Sequence, residues 1–354
     1  MNASKKCGVV LIGLGMVSKV YVEALISLSN NISVIGIIAS NINSSNKFLS
    51  SNKIEIFKNI QIFSSIEEIC NSDSVDFAIL TTPPNVRIEI VKKLIQSKIP
   101  ILMEKPIERN LSNAKEIEIL SLKAQIPIGI MLQHRARPSA IKWKQILSQD
   151  LQKVGKLSAV EIYIPWWREQ TYYDQPGRGT YSRDGGGVLI SQAIHTLDLA
   201  LQFTGQINAV TSMNKTSSFH SMESEDFVSA GLEFEDQVFG TLFASTASYP
   251  GRTEEIILHY KNVTVLLKSN LLRLFWQNGK EETIGGQESS GAGADPMAFT
   301  SDWHRDMILD FQNSIKDKRE PIASISSAIE VHRLISMLEL SSKKQMRIKR
   351  EEIK

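Results

Sequence analysis

The chain has 354 residues, with 40 Lys and Arg against 38 Asp and Glu, a net charge of +2; at roughly 150 residues per domain it predicts two domains, each able to bury a core. Hydrophobic residues at 42% and charged residues at 22% exclude a disordered or fibrous chain, and the charge balance excludes a protein that lives on the nucleic-acid backbone. Two cysteines, Cys7 and Cys70, exclude a disulfide framework or a cysteine-rich zinc site, and no apolar run approaches the roughly 20 residues of a membrane span.

Lys5-Lys6 ahead of the apolar stretch 7–17 imitates a secretory leader. Gly13 and Gly15 interrupt that stretch, no small-residue cleavage site follows, and Lys19 and Glu23 continue it in a helical pattern. It reads as a buried strand entering a turn, and the protein is expected to be cytoplasmic. Residues 8–12 are apolar and β-branched, as in a strand buried on both faces. A helix over 18–28, a strand over 33–39, a short helix over 66–70 and a strand over 75–80 follow. Then come a helix over 84–97, a strand over 99–103, a helix over 112–124 and a strand over 127–131. This alternation predicts a parallel sheet wrapped by helices.

The character changes near Arg135. A helix over 139–147 and a strand over 156–164 lead into a stretch rich in Trp, Tyr, Gly and Arg, 165–187, and a helix over 189–203. From 208 to 277 the chain alternates as a meander; Val228, Ala230, Leu232 and Phe234 share one side of a strand. Residues 287–298 read as a mobile loop, and helices over 302–316 and 326–343 close the chain. The fold class is α/β: a doubly wound parallel sheet over 1–130, then an α+β domain with a large, mostly antiparallel open sheet over 131–354. The strand 238–246 is apolar on both faces, which predicts a homodimer or homotetramer through this sheet.

Several motifs carry chemistry. Gly13-Leu14-Gly15-Met16-Val17-Ser18 joins the first strand to the first helix, the place where glycines let backbone approach a diphosphate at a helix N-terminus. Gly13, Gly15, Met16 and Val17 are the expected contacts. The second strand ends in Ala39-Ser40-Asn41, with neither a carboxylate for a ribose 2′-hydroxyl nor an arginine for a 2′-phosphate, so NAD and NADP both remain open. Ser40 and Asn41 can hydrogen-bond either. Thr81, Thr82, Pro83 and Asn85 are candidates to line the same cleft, with a plain strand-to-helix turn as the alternative. Glu104-Lys105-Pro106 ends another strand; an ammonium beside the positive nicotinamide ring has its pKa lowered toward working pH, which makes Lys105 an acid/base candidate. Gly185-Gly186-Gly187 opens the helix carrying Ser191, Gln192, His195 and Asp198. His195 is the best acid/base candidate of the six histidines, although a lone helical histidine is more often structural. No third metal ligand has convincing spacing, so no metal site is expected. Trp166-Trp167-Arg168, Tyr172-Tyr173 and Arg178-Gly179-Thr180-Tyr181 suit a sugar ring and an anionic group, with packing of aromatics as the plain alternative.

Together these segments resemble the glucose–fructose oxidoreductase / inositol dehydrogenase / MocA (Gfo/Idh/MocA) family nearly end to end. The resemblance rests on Gly13-Leu14-Gly15, Thr82-Pro83-Pro84, Glu104-Lys105-Pro106, Asp184-Gly185-Gly186-Gly187 with His195-Thr196-Leu197-Asp198, and Trp303-His304-Arg305-Asp306. The aromatic stretch resembles the branch of UDP-N-acetylglucosaminuronate 3-dehydrogenases. The resemblance implies that Lys105 is the catalytic lysine, that Glu104 contacts the nicotinamide ribose, and that His195 is the second acid/base or orienting group. Two departures stand out: Ser191 where many members carry Asp, and Arg87 where a His is common. The reading is an oxidoreductase that moves a hydride between NAD or NADP and a secondary alcohol of a sugar-like substrate, an inositol, uronate or nucleotide sugar. Lys105, Trp167, Arg168, Arg178, Arg183, Ser191, Gln192 and His195 are the expected substrate contacts, with no nucleic-acid or membrane partner. The alternative is a catalytically silent NAD(P)-binding regulatory protein of the same fold, favoured by Ser191.

Overall fold

Aliphatic runs that tolerate water on neither side build the first sheet. The structure is a computed structural model that describes residues 6–52, 55–58, 60–286 and 300–353; the 287–298 stretch lies outside them. The strands are β1 (Cys7–Ile12), β2 (Ile32–Ile38), β3 (Gln61–Ile62), β4 (Phe77–Leu80), β5 (Ile101–Met103) and β6 (Ile128–Ile130). They pair in parallel in the order β3-β2-β1-β4-β5-β6. The order reverses between β1 and β4, and at such a point the carboxyl ends of the strands open a crevice for ligand.

Helices Ser18–Ser27, Ile42–Ser51, Ile66–Cys70, Arg87–Gln96 and Leu111–Ala124 connect these strands. The helix Ile42–Ser51 is absent from the sequence reading because it is largely polar. Its start is set by Asn41, whose carboxamide oxygen accepts from Ser44 N–H at 2.9 Å. The late helix Asp302–Asp317 packs on Ser18–Ser27, and its Phe311 meets Phe77 of β4 edge-on at 5.4 Å.

The chain forms two compact units. The first holds the residues up to Glu108, Asn113–Leu132 and Thr300–Ala328; the second holds Arg109–Ser112, the described residues of Gln133–Phe299, and the chain from Ile329 on. A single division at 130 does not describe this, because the chain returns to the first unit after the second sheet is complete.

The second unit contains β7 (Leu157–Pro165), β8 (Ile207–Lys215), β9 (Phe227–Phe234), β10 (Phe239–Ser245), β11 (Glu255–Tyr260), β12 (Val263–Lys268), β13 (Leu271–Trp276), β14 (Glu281–Ile284) and β15 (Ile348–Lys349). Their order is β14-β13-β12-β11-β7-β10-β9-β8-β15, antiparallel except for the parallel pair β7 and β10. Val228, Ala230, Leu232 and Phe234 are all buried, as their alternation predicts. Helix Pro138–Gln149 packs against β13 and helix Ile194–Thr204 against β7. The expected single helix over 189–203 is instead a π-helical segment, Leu189–Ala193, running into Ile194–Thr204. Among the described residues no helix is long and apolar enough to cross a membrane.

Candidate active site

β1 delivers Gly13 with φ +96°, where a Cβ would stand 2.9 Å from the Thr82 nitrogen. Only glycine fits that close approach of two loops. At Gly15 the same test finds nothing within 4 Å, so the turn presents an open surface. The turn is held from both sides: Ser18 Oγ donates to Gly15 O at 2.6 Å, and Thr81 Oγ1 donates to Gly13 O at 2.7 Å. Helix Ser18–Ser27 begins immediately behind, with no side chain capping it, so its first N–H groups favour an anion. Met16 is exposed and Val17 half-buried on this turn; Pro83 and Asn85 are exposed on the neighbouring one. Thr82 Oγ1 is buried and has no partner. An open glycine turn, an uncapped helix start and an orphaned hydroxyl fit the diphosphate of a dinucleotide. Asn41 is occupied as a helix cap and also donates to Ser40 Oγ at 3.4 Å.

β5 ends one residue before Glu104, whose N–H donates to Leu80 O at 2.8 Å. The Glu104 side chain is buried and accepts from Tyr21 Oη at 2.9 Å. His304 Nε2 lies 4.0 Å from the same carboxylate oxygen, and its ring meets Tyr21 edge-on at 5.3 Å. Burial raises the Glu104 carboxyl above the usual range, opposed by the charges of Lys105 and Arg87 and by the Tyr21 bond. Burial, then the Glu104 charge, lifts the Tyr21 hydroxyl well above its ordinary value. Burial, then the Lys105 charge, pushes His304 down to about 3, so its imidazole is neutral near pH 7. Lys105 is half-buried. Arg87 is buried among the carbonyls of Thr82, Glu104 and Pro106.

The second unit gathers the other candidates. Arg168 is buried, donates through Nη1 to Trp167 O at 2.7 Å, and lies 5.3 Å from the Trp166 ring and 5.9 Å from the Tyr172 ring. Arg178 lies 5.1 Å from that same Tyr172 ring. Arg178 and Arg183 reach Asp184 at 3.8 and 3.6 Å. Gln192 Nε2 donates to Tyr172 Oη at 3.3 Å, while its buried Oε1 has no partner. Tyr172 therefore brings Arg168, Arg178 and Gln192 together. Ser191 is half-buried, its N–H donating to Gly187 O at 3.1 Å.

His195 is buried, with its ring 5.1 Å from that of His134. Arg137 Nη2 lies 2.6 Å from His134 Nε2. A guanidinium only donates, so this nitrogen accepts and His134 is neutral. Arg137 pairs with Glu254 at 2.7 Å, and Glu254 accepts from Trp166 Nε1 at 3.1 Å. Asp198 is gripped by Arg135 at 2.6 and 2.8 Å; burial raises its carboxyl, opposed by that arginine. Asp198 is thus an ion-pair partner.

Sequence reasoning gave no site role to Tyr21, Arg87, His134, Arg135, Arg137 or His304, although Arg87 stood out as a departure and His304 lay within a quoted motif. Two signals were present. A cation at the first position of a helix opposes the macrodipole, which marks Arg87. Only Met131 and Leu132 separate β6 from Gln133-His134-Arg135-Ala136-Arg137, a stretch that concentrates cationic and imidazole side chains.

Residues 7–125 match the oxidoreductase family with an NAD-binding Rossmann fold, and residues 144–265 match the GFO/IDH/MocA C-terminal domain. The uncharacterized protein YMR315W of Saccharomyces cerevisiae is 24% identical over 253 residues, 66% of this chain and 70% of that protein. The WlbA dehydrogenase of Bordetella pertussis, solved in complex with NADH and UDP-GlcNAcA, superposes with a TM-score of 0.80 at 20% identity, over 98% of this chain and 99% of that one. Levoglucosan dehydrogenase, in complex with NADH and levoglucosan, gives a TM-score of 0.81 at 15% identity, over 98% and 99%. At these identities the structural likeness concerns the fold.

Proposed function

The chain belongs to the Gfo/Idh/MocA family of NAD-binding oxidoreductases, and on that premise we propose that it is a dehydrogenase of a secondary alcohol in a sugar or sugar derivative. The observation that carries this reading is Lys105, half-buried one residue after a buried carboxylate, in a loop that follows the carboxyl end of a parallel strand. Gly13, Gly15, Met16, Val17 and Thr82 would hold the dinucleotide, with Ser40 near its adenosine end. When bound, the dinucleotide supplies the hydride acceptor or donor.

Lys105 then holds the substrate hydroxyl and takes its proton. Glu104 balances the ammonium that forms, and the neutral His304 adds no competing charge. His195 is the second acid/base group, its ring steadied against neutral His134. Arg168 and Arg178, set about Tyr172, suit a carboxylate or phosphate on the substrate, and Gln192 Oε1 suits a hydroxyl donor. Support for a sugar-like substrate comes from this aromatic and arginine surroundings and from the sugars named in the complexes of the structural neighbours. Ser191 in place of Asp favours the silent alternative; nicotinamide reduction with any member of a polyol, uronate and UDP-sugar panel disposes of it.

Titration with NAD+, NADP+ and their reduced forms should give saturable binding. Lys105→Ala should lower turnover by about 10²–10⁴-fold with dinucleotide binding retained. Normal turnover in that variant removes Lys105 from the mechanism, and no affinity for any of these dinucleotides removes the whole reading.

A further inference from the structure

We propose that Arg87 is the positioning residue of the Lys105 loop, a buried guanidinium that ties the carbonyls on both sides of Lys105 to the carbonyl of Thr82. The proposal rests on the reading of Lys105 as the proton acceptor. Arg87 is 2% exposed. Its Nε donates to Thr82 O at 2.9 Å and its Nη2 to the same oxygen at 2.5 Å. Its Nη1 donates to the carbonyls of Glu104 and Pro106. β5 has ended at Met103, so these bonds fall on the residues beyond the ladder that must still be held in place.

The chemistry selects arginine. A guanidinium offers five coplanar N–H donors and no acceptor, and three carbonyls here only accept. Lysine presents a single point of donation, and histidine at most two opposed ones. The helix does not explain the residue, because a cation at the start of Arg87–Gln96 faces the unfavourable end of the dipole. Burial lowers the guanidinium to about 10, with the Glu104 charge opposing that fall, so it stays charged at neutral pH. The clamp joins the loops after β4 and β5, the two neighbours on one side of the crevice.

Arg87→Lys and Arg87→Met in the full chain test this. A displacement of about 1 Å at a reacting group costs about 10²-fold, so Arg87→Met should lose about that much in kcat, with Arg87→Lys between it and the native protein. NADH affinity should fall much less than kcat, since Arg87 reaches the dinucleotide only through the Thr82 loop but sets the reacting amine through the carbonyls on both sides of it. Amide hydrogen exchange over residues 104–108 should quicken in both variants without substrate, while β1 and β4 keep their protection. In a Lys105→Ala background the further change Arg87→Lys should leave kcat unaltered, because Arg87 acts through Lys105. The proposal is overturned if exchange at 104–108 is unchanged in Arg87→Lys, if NADH affinity falls in step with kcat, or if the two substitutions add. Should Arg87→Met fail to fold, Arg87→Lys decides. Normal turnover in Lys105→Ala would end the mechanistic reading alone, since exchange reports on the clamp with no reaction running.

Discussion

His220 carries a proton that its surroundings dictate. Its Nδ1 lies 2.7 Å from Asp226 Oδ2 and its Nε2 lies 2.8 Å from the carbonyl of Arg168. Both partners only accept, so both ring nitrogens donate and the ring is an imidazolium. Burial by itself lowers its pKa, but the bonds to Asp226 and to the Arg168 carbonyl, with the Asp226 charge, outweigh it and the net shift is upward. Asp226 moves the other way: burial raises it, and the bonds to His220 and Ser217 bring it below the usual value. The pair anchors the backbone of Arg168, one of the candidate substrate contacts. A histidine raised on folding contributes its stability below the unfolded value, about 6.5, and loses it as pH climbs through the folded value. The lowered Asp226 contributes above its own unfolded value, about 3.9, and loses it as pH falls through the folded one. His220→Gln should therefore cost about 3 kcal/mol near pH 6 and less near pH 9, toward which the native ring loses its charge. Urea unfolding of both proteins at the two pH values checks this; an equal penalty at both would show that His220 is not charged.

At the scale of elements, the start of the helix carrying Gln192 and His195 is fixed from outside. Glu225 accepts from Gly187 N–H at 3.2 Å and Leu189 N–H at 3.1 Å, and its carbonyl accepts from Val188 N–H at 2.9 Å. A Cβ on Gly187 would stand 1.8 Å from that carbonyl oxygen, and backbone on both sides leaves nothing flexible to move aside. Gly187→Ala should then cost about 2–3 kcal/mol in urea unfolding. Gly231→Ala, in β9 with nothing within 4 Å, should be neutral or stabilising by about 0.5 kcal/mol. Equal stability of the two variants would mean that Glu225 does not hold the helix start. The same region marks where reading from sequence runs out. Five of the six strands of the first sheet were legible from their apolar, largely β-branched runs, whereas the two-residue β3 was not. The helix Ile66–Cys70 was legible to the residue, and the alternation from 208 to 277 announced the second sheet. The π segment Leu189–Ala193 was not legible: its two polar residues, Ser191 and Gln192, fit an ordinary helical turn as well as the wider one. The parallel pairing of β7 with β10 and the return of Asp302–Asp317 to the first unit depend on partners far away in the chain. Lys105 and its glutamate were visible as a motif; that helix packing brings Tyr21 and His304 beside the glutamate was not.

At the scale of the whole molecule, the second sheet has one clothed face and one bare face. Helices Pro138–Gln149 and Ile194–Thr204 lie on the side of Val160, Ile162, Leu242 and Leu258, all buried. Tyr163, Phe243, Ile257, Leu266 and Phe275 alternate with those positions and line the opposite face. Tyr163 stacks on Phe243 at 4.8 Å, Phe227 meets Phe243 edge-on at 5.4 Å, and Phe239 is 63% exposed. Polar groups there are satisfied within the face: His259 Nε2 lies 2.8 Å from Glu161 Oε1, and Lys268 pairs with Glu255 at 2.6 Å. A surface so apolar repels no second copy of itself, and a two-fold axis lying between two such faces, parallel to the sheet plane, sets the same patch against itself. A stable pairing buries about 1,600 Å², which strands β7, β10, β11, β12 and β13 together can provide. The chain is accordingly expected to be at least a dimer at micromolar concentration. Phe243→Asp combined with Tyr163→Asp should at least halve the mass measured by light scattering while circular dichroism stays native. A native chain that runs as a monomer at that concentration would leave the bare face without an occupant of this kind.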